Sequence, residues 1–279
     1  MTFPTTINPF YAARLQRMIP TSGASEAKPA SAFRNRKRDA TSNGEAYHQP
    51  VYARLPLAPR NGSPVPHLTS LYHFHRAGEY GDRSYPGNCG GNLIKDLLAY
   101  FQPGLVFDPM TGSGTCRDVC EEMGIPCLSF DIHTGFDACN PAEFPGPDSF
   151  EFIWAHPAYW RQKLYADDPR DLSRSPTLEH FLGRYGQFIR NCSRSLKRGG
   201  KLAILMGDYS DREEGFVPLT FHTKRLAFAC GLRQCCTDII RFSHGASSSK
   251  KVYRSSFIPG LHDTCTVFEK PTTNKRKQA

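Results

Sequence analysis

A glycine-rich turn between an apolar strand and a helix is the feature that most limits how this chain of 279 residues can fold. The strand is predicted over Leu105–Phe107, the turn carries the run DPMTGSGT from Asp108, and the helix is predicted over Cys116–Met123. Glycine lets the backbone turn tightly and approach a ligand closely, as cofactor-binding turns of doubly wound proteins require. A plain strand–helix turn is the alternative, and a phosphate-binding P-loop is excluded because no Gly-Lys-Ser/Thr follows.

Short apolar strands alternate with helices on both sides of this turn. Further strands are predicted over Cys127–Phe130, Phe150–Ala155, Leu202–Met206, Gln234–Phe242 and Thr264–Phe268. Further helices are predicted over Asn92–Tyr100, Thr177–Leu196 and Thr220–Cys230. This alternation predicts an α/β fold with a mostly parallel, doubly wound sheet.

The net charge of +9 is concentrated at the two ends of the chain. Between Met1 and Asn61, nine Lys or Arg residues accompany three acidic ones, and four more basic residues follow from Lys270 onward. Polar ends of this kind bury too little apolar surface to offset chain entropy. We therefore expect a disordered basic arm over 1–65, an ordered domain over 66–270 and a disordered basic tail over 271–279. The arm either contacts nucleic-acid phosphates or only solvates the protein.

The apolar segments and the cysteines indicate a cytoplasmic protein that neither spans a membrane nor binds a metal. No run of 18 apolar residues occurs, and we expect no secretory signal because the first residues lack a basic start followed by an apolar run. The ten cysteines are scattered and include no C-x-x-C pair. Neither a disulfide scaffold nor a zinc site is therefore predicted.

Two strand ends carry polar residues suited to a ligand site. Asp131 ends a predicted strand, where an acid can accept hydrogen bonds from ribose hydroxyls. Capping of a helix is the alternative role for it. Asp137 follows where a third acid could hold an adenine amino group. The run HPAYW from His156 comes directly after the Phe150–Ala155 strand, at the edge where such sheets bind ligands.

Together these segments resemble the amino-group DNA methyltransferases, which use S-adenosylmethionine. DPMTGSGT is similar to the family's cofactor motif D-P-x-x-G-S-G-T, and HPAYW is similar to its catalytic motif, Asp, Asn or Ser followed by Pro-Pro and an aromatic residue. YPGNC from Tyr85, LKRGGKLAILMGD from Leu196 and FIPGLHDTCTVFEK from Phe257 extend the match. The resemblance implies a Rossmann-like methyltransferase fold, with a mostly parallel seven-stranded sheet and a terminal antiparallel hairpin.

The resemblance implies a role for each matching residue. S-adenosylmethionine would be held by nine residues: Asn88, Asp108, Pro109, Thr111, Gly112, Gly114, Thr115, Asp131 and Asp137. His156 and the carbonyl of Pro157 would accept hydrogen bonds from the amine of an extruded base, on which Tyr159 would stack. Trp160 would lie near the base. Independently of the resemblance, the basic clusters of the arm and of the loop Ser243–Lys251 make Arg36, Lys37 and Lys250 candidate contacts with the nucleic acid. No metal is implied.

Two positions depart from the family's catalytic motif. His156 stands where the family has Asp, Asn or Ser, and a neutral imidazole offers one acceptor nitrogen whereas a protonated one offers none. With an ordinary pKa of about 6.5, methyl transfer is expected to fall as the pH drops through about 6. Ala158 replaces the second proline, which loosens the loop.

The expected activity is methylation of adenine N6 or cytosine N4, with DNA as the partner. One alternative is an RNA base methyltransferase, which applies the same chemistry to unpaired nucleotides. The other is a non-catalytic nucleic-acid-binding protein with a degenerate site, motivated by Ala158. Only Leu164–Pro176 and Ser243–Arg254 are left to recognise a sequence, so a short recognition site or low specificity is expected. Neither the target base nor the oligomeric state is predicted.

Overall fold

The computed structural model describes residues 63–73, 78–242 and 260–272. The predicted nucleic-acid contacts Arg36, Lys37 and Lys250 lie outside these residues, as do the Ser243–Arg254 segment and most of the expected basic arm and tail. The limits expected for the arm, the domain and the tail stay predictions.

Within the described residues the chain forms four α-helices and ten β-strands. The helices are α1 (Asn92–Phe101), α2 (Thr115–Met123), α3 (Leu178–Ser195) and α4 (Leu219–Ala229). The strands are β1 (Leu71–Tyr72), β2 (Val106–Asp108), β3 (Cys127–Ser129), β4 (Phe150–Ala155), β5 (Leu196–Met206), β6 (Tyr209–Asp211), β7 (Gly215–Val217), β8 (Arg233–Gln234), β9 (Ile239–Phe242) and β10 (His262–Glu269).

Eight of these strands form one sheet, with the order β1-β9-β10-β5-β4-β2-β3 and with β8 paired to β10. Strands β3, β2, β4 and β5 are parallel neighbours, and β1 is parallel to β9. Strand β10 runs antiparallel to β5, β8 and β9. The predicted α/β class and the mostly parallel, Rossmann-like sheet with an antiparallel pair at its end are confirmed. The sheet has one strand more than the seven expected, because β8 adds to β10.

Most predicted elements are present with ends shifted by one or two residues, and β4 has the predicted limits. The predicted strand Gln234–Phe242 is divided into β8 and β9 by a short loop. Strand β5 begins six residues before the predicted Leu202, because Leu196 already pairs with Phe150 and the ladder resumes after an irregularity. Strands β1, β6 and β7 were not predicted, since two or three residues are too short to show a period.

The sheet is buried on both faces, because apolar side chains of its central strands alternate between two core layers. On one face, Ile153 and Leu202 pack with apolar residues of α3 and α4. On the other, Trp154 and Ala203 pack with apolar residues of α1 and α2. Burial of both faces is what a parallel sheet with helices on its two sides requires.

Local sequence fixes the ends of the helices. Thr177 caps α3 by accepting a hydrogen bond from the backbone N–H of His180 at 3.1 Å. Gly114 and Gly124 flank α2 with φ angles of 82° and 65°, a left-handed backbone that glycine adopts without a Cβ penalty. Gly124 is thus the predicted C-cap. Of the helices in the described part of the chain, none combines the length and apolarity needed to cross a membrane.

Phe107 of β2 is the centre of an aromatic cluster below the glycine-rich turn. Its buried ring stacks on that of Phe150 with centroids 4.6 Å apart. It meets Phe130, Phe136 and Phe144 edge to face, an arrangement favoured by the ring quadrupoles. These contacts join β2 to β4 and to the loop that follows β3.

We expect Phe107→Ala to lower the free energy of unfolding by about 3–5 kcal/mol, because it removes a buried ring and leaves a cavity. Urea unfolding followed by circular dichroism measures this loss. Phe221 of α4 is 60% exposed, so Phe221→Ala is the control and should change the same quantity by less than about 0.5 kcal/mol. Equal effects of the two substitutions would show that the cluster does not hold the sheet together.

Candidate functional site

The loops that follow β2, β3 and β4 enclose a pocket at one edge of the sheet. Parallel strands bring their carboxyl ends to the same edge, which is where doubly wound sheets bind ligands. The pocket is partly open to solvent, and its empty space, with the open part included, is about 830 Å³.

The structure brings eight of the thirteen predicted site residues that it describes to this pocket. Eight of them line it: Asp108, Pro109, Thr111, Gly112, Thr115, Asp131, Asp137 and His156. Five others do not: Asn88, Gly114, Pro157, Tyr159 and Trp160. The glycine-rich turn, two acids from the next loop and the histidine of the HPAYW run therefore share one space.

Asp108 ends β2 and has a deeply buried carboxyl group. Only 2% of the residue is exposed, and Oδ1 accepts a hydrogen bond from the backbone N–H of Met110 at 3.2 Å. Burial raises the pKa of the Asp108 carboxyl well above its usual range, because the charged form loses its water. A cationic group of a ligand beside it would favour the charged form again.

Backbone N–H groups of the glycine-rich turn donate hydrogen bonds within the turn and to the loop that follows β3. The N–H groups of Thr111, Gly112 and Gly114 all donate to acceptors within the protein, at 2.9 Å in each case. Gly112 has a φ of 48°, and a Cβ there would lie 2.9 Å from the ring of Tyr85. Because these three N–H groups are already used, they do not form a cradle for a phosphate.

Asp131 follows β3 and joins two turns of the pocket. Its oxygens accept hydrogen bonds from the backbone N–H groups of Gly112 at 2.9 Å and His133 at 3.1 Å. It caps the short 3-10 turn Ile132–Thr134, which is the alternative considered for it. A carboxylate has about four acceptor positions, so about two are left for hydroxyl groups in the pocket.

Asp137 reaches the pocket with a carboxylate that is already paired. Arg184 of α3 donates to its two oxygens at 3.2 and 3.3 Å. The N–H of Cys139 donates to Oδ1 at 2.9 Å. Ile132 and Phe136 line the pocket nearby, so this end suits a flat apolar ring with a polar edge.

Two predicted cofactor residues shape the loops instead of lining the pocket. The Nδ2 group of Asn88 donates to the carbonyl oxygens of Tyr80 at 2.9 Å and Asp82 at 3.0 Å. The same amide lies 3.2 Å from Oγ of Ser113 in the glycine-rich turn, so both of its hydrogens are used within the protein and the predicted direct contact with a cofactor is corrected. The predicted cofactor contact of Gly114 is also corrected, because this residue leads the chain into α2 and does not line the pocket.

Two tyrosines outside the predicted set form an aromatic wall of the pocket. Tyr85 and Tyr165 stack with ring centroids 5.9 Å apart, and both line the pocket. Buried Asp171 holds the loop of Tyr165 by accepting hydrogen bonds from the N–H groups of Tyr165 and Ala166 at 3.2 and 2.8 Å. No local pattern marks Tyr165, because its stacking partner is distant in the sequence.

His156 follows β4 and lines the pocket with a neutral ring. Its Nε2 lies 3.0 Å from the hydroxyl of Tyr159. Burial lowers the pKa of His156 to about 4, because the protonated ring would lose its water. The pH at which His156 loses its acceptor nitrogen is therefore corrected from about 6 to about 4.

Tyr159 lies beside Gly207, which follows β5, and close to Asp263 of β10. A Cβ at Gly207 would lie 2.7 Å from the Tyr159 ring and 2.9 Å from Oδ1 of Asp263, so glycine after β5 leaves room for both. Asp263 forms a largely buried ion pair with Arg241, its cross-strand partner on β9. No local sequence pattern marks Gly207 or Arg241, because only strand pairing brings these two residues close to Tyr159.

Trp160 belongs to the core and not to the pocket. Its side chain is completely buried, and Nε1 donates to the carbonyl oxygen of Ser175 at 2.9 Å. The predicted contact between Trp160 and a base is therefore corrected. The same hydrogen bond holds the end of the Leu164–Pro176 segment, part of which lines the pocket. Pro157 is also buried.

The sequence matches no protein-family profile and no curated protein. Solved structures do match. A candidate DNA modification methylase from Thermus thermophilus, complexed with S-adenosyl-L-methionine, is 21% identical over 49% of this chain and 54% of that chain, with a TM-score of 0.36. TrmN from Thermus thermophilus is 18% identical over 64% and 48%, with a TM-score of 0.37. A SAM-dependent methyltransferase from Archaeoglobus fulgidus is 16% identical over 64% and 93%, with a TM-score of 0.41.

The chain spans about half the length of the first two of these proteins. At these identities and TM-scores, the matches establish neither a family nor an activity for this chain. Its class is set by its own sheet order and pocket. It is an α/β protein with a ligand pocket at the carboxyl edge of a mostly parallel sheet.

We expect Asp108→Asn to raise the thermal midpoint of the ligand-free protein at pH 7 by roughly 2–5 °C. The raised pKa of Asp108 means that the folded state holds a proton that the unfolded state releases above its ordinary pKa of about 4. Stability is therefore lost as the pH rises above that value, and a neutral amide removes this loss. Differential scanning calorimetry at pH 7 and pH 4 measures the change, which should fade at the lower pH.

Asp131→Asn is the matched control for this prediction. Its carboxylate accepts two backbone N–H groups, so we expect this substitution to lower the thermal midpoint. A fall of the midpoint for Asp108→Asn at pH 7 would show that Asp108 is stabilised as a charged group.

Proposed function

We propose that the protein is an S-adenosylmethionine-dependent methyltransferase that acts on an exocyclic amine of a nucleic-acid base, adenine N6 or cytosine N4 of DNA. The observation that carries this proposal is the shared pocket. The glycine-rich turn, Asp131 and His156 all line one cavity at the carboxyl edge of the sheet. A methyl donor and an amine must be aligned in one such space for transfer to be fast.

The pocket residues fit the charge and shape of S-adenosylmethionine. Asp108, whose pKa burial raises, would regain its charge beside the ammonium group of the cofactor. Asp131 has acceptor positions left for ribose hydroxyls, and Ile132 and Phe136 offer an apolar surface to an adenine ring. The N–H groups of Thr111, Gly112 and Gly114 already have acceptors in the protein, which suits a cofactor that has no phosphate.

S-adenosylmethionine supplies an electrophilic methyl group, and the residues of the chain hold the amine that receives it. The lone pair of an exocyclic amine is delocalised into the ring, so acceptors on its hydrogens favour a pyramidal and more nucleophilic nitrogen. His156, kept neutral by its low pKa, would offer one acceptor when the amine replaces the Tyr159 hydroxyl beside Nε2. The carbonyl of Pro157, the next residue, is the second acceptor that we propose, and it would have to be exposed to the pocket when a base enters. Tyr159 is partly exposed beside the pocket and offers a ring on which an extruded base can stack.

The burial of Trp160 supports a catalytically competent HPAYW loop, although Ala158 lies in that loop. The loop lacks the second proline of the family's motif, and proline would restrict its backbone. Trp160 has a φ of 47°, and its ring is completely buried. A side chain fixed in the core two residues further on restricts the loop in place of the missing proline. This favours an enzyme over a degenerate binding protein.

Transfer of a labelled methyl group to unmethylated DNA, followed by digestion to nucleosides and mass spectrometry, tests the proposal. We expect N6-methyladenine or N4-methylcytosine. Tyr159→Ala should lower kcat/KM by roughly 10- to 100-fold, which corresponds to a lost stacking contact of about 1–3 kcal/mol. It should leave cofactor affinity unchanged. Tyr100 of α1 is 46% exposed, and Tyr100→Ala is the control that should change neither quantity.

The outcomes separate the parts of the proposal. Methylated nucleosides found in RNA and not in DNA would contradict the DNA substrate and reassign the enzyme to RNA. Cofactor binding without transfer to any nucleic acid would contradict the enzymatic role and favour a degenerate site. Failure to bind S-adenosylmethionine would contradict the proposal as a whole.

Methyl transfer should not depend on the titration of His156 between about pH 5.5 and 8 and should decline as the pH falls towards 4. The pKa of His156 is about 4, and the ring loses its acceptor nitrogen only when it is protonated. A pH profile of kcat/KM checks this, with cofactor affinity measured at each pH so that lost binding is not counted as lost transfer.

His156→Asn is the matched variant for the pH profile. Its carboxamide oxygen accepts a hydrogen bond and does not titrate. We expect it to retain transfer and to lose the acidic decline. A wild-type inflection near pH 6.5 that His156→Asn abolishes would show that the ring titrates in its ordinary range.

A further inference from the structure

Three cysteines meet beside the pocket, although their spacing in the sequence predicts no metal site. The Sγ atoms of Cys116, Cys120 and Cys127 all lie within 4.8 Å of one another. Among the residues that the structure describes, no other three potential ligand atoms of His, Cys, Asp or Glu lie so close together.

The helix and the strand that follow the glycine-rich turn place these three sulfurs. Cys116 and Cys120 lie one turn apart on the face of α2 that packs on the sheet, and both are buried. Cys127 begins β3. The short link from helix to strand is closed by a hydrogen bond from the N–H of Ile125 to the carbonyl oxygen of Cys120 at 2.9 Å. The backbone itself therefore holds the third sulfur against the first two.

We propose that Cys116, Cys120 and Cys127 bind a thiophilic metal ion of the class that includes Zn²⁺, Cd²⁺ and Cu⁺. Cysteine sulfurs about 2.3 Å from a shared ion lie roughly 3.8–4.0 Å apart. The three sulfurs lie within 4.8 Å of one another, so they reach that geometry by approaching one another by about 1 Å at most. Thiolates select these soft ions over Mg²⁺ and Ca²⁺. This inference does not depend on the proposed methyl transfer.

Binding of the metal ion replaces the protons of the cysteine thiols. Each thiol that becomes a ligand releases its proton to the solvent, and a divalent ion offsets two of the three negative charges left on the sulfurs. Cys127 is only half-buried, so the ion can enter from its side. A water molecule on that side can complete the four-coordinate shell that Zn²⁺ prefers.

The helix geometry favours an ion over a disulfide between Cys116 and Cys120. Residues four apart on a helix hold their Cβ atoms about 5–6 Å apart, whereas a disulfide requires about 3.5–4.5 Å. An ion between the two sulfurs spans the longer distance without bending α2. Cys116 also lines the pocket, so a bound ion would join α2 to β3 at the pocket wall and stabilise it.

Titration of the reduced, full-length protein with Cd²⁺ tests the site. The reference protein carries Cys235→Ser and Cys236→Ser, which remove two exposed neighbouring thiols. We expect one Cd²⁺ per chain by elemental analysis, an ultraviolet charge-transfer band from sulfur to metal, and a higher thermal midpoint. Adding Cys127→Ser should weaken Cd²⁺ binding on the order of tenfold or more and lower the intensity of the band at saturation, because two of the three sulfurs remain. Adding Cys192→Ser instead, a buried cysteine outside the cluster, should change neither.

Further measurements distinguish the loss of a metal ligand from the loss of folding. The thermal midpoint without metal shows whether Cys127→Ser is folded, and Cys120→Ser provides a second ligand variant. Equal Cd²⁺ binding by the reference protein and by Cys127→Ser would overturn the proposal. A disulfide between any two of the three cysteines, found in place of metal uptake, would also overturn it. Retention of Cd²⁺ in an excess of Mg²⁺ or Ca²⁺ supports the proposal, and displacement of Cd²⁺ by either of these ions contradicts it.

Discussion

The common carboxyl edge of β2, β3 and β4 is the constraint on which the whole site depends. The three strands are parallel neighbours, so Asp108, Asp131 and His156, which end or follow them, meet at one edge. The aromatic cluster around Phe107 holds β2 against β4. Side chains alternate between the faces of a sheet, so a slip of one residue in this pairing would turn Asp108 away from the pocket.

Burial acts on Asp108 and His156 in the same sense, which is to disfavour charge. It raises the pKa of Asp108 and lowers the pKa of His156, so neither group is favoured in its charged form when the pocket holds no ligand. For a cationic cofactor the two shifts act together. A cation beside Asp108 would restore the negative charge of that carboxylate, and a neutral His156 would not repel the cation.

Sequence patterns predicted the parts of the site that lie within one strand and the loop after it. Asp108, the glycine-rich turn and His156 are of this kind, because their positions follow from where a strand ends. The patterns did not predict which hydrogen-bond or packing partner an individual side chain would have. The amide of Asn88 bonds within its own loop and to Ser113, and the ring of Trp160 enters the core. Arg241 and the cluster of three cysteines could not be predicted, since only strand pairing and helix packing bring their members together.

The antiparallel strands β9 and β10 carry two charged residues that affect the pKa of His156 in the HPAYW run. Burial lowers the pKa of His156, and beyond that the charge of Asp263 raises it whereas the charge of Arg241 lowers it. The Nε atom of Arg241 is buried without a hydrogen-bond partner among the described residues, a cost of about 1–3 kcal/mol. Its attraction to Asp263 offsets that cost. Removing Arg241 would leave the carboxylate of Asp263 uncompensated beside His156, where it would favour the protonated ring. The acceptor nitrogen of a loop in the middle of the chain thus depends on an ion pair formed by its last strands.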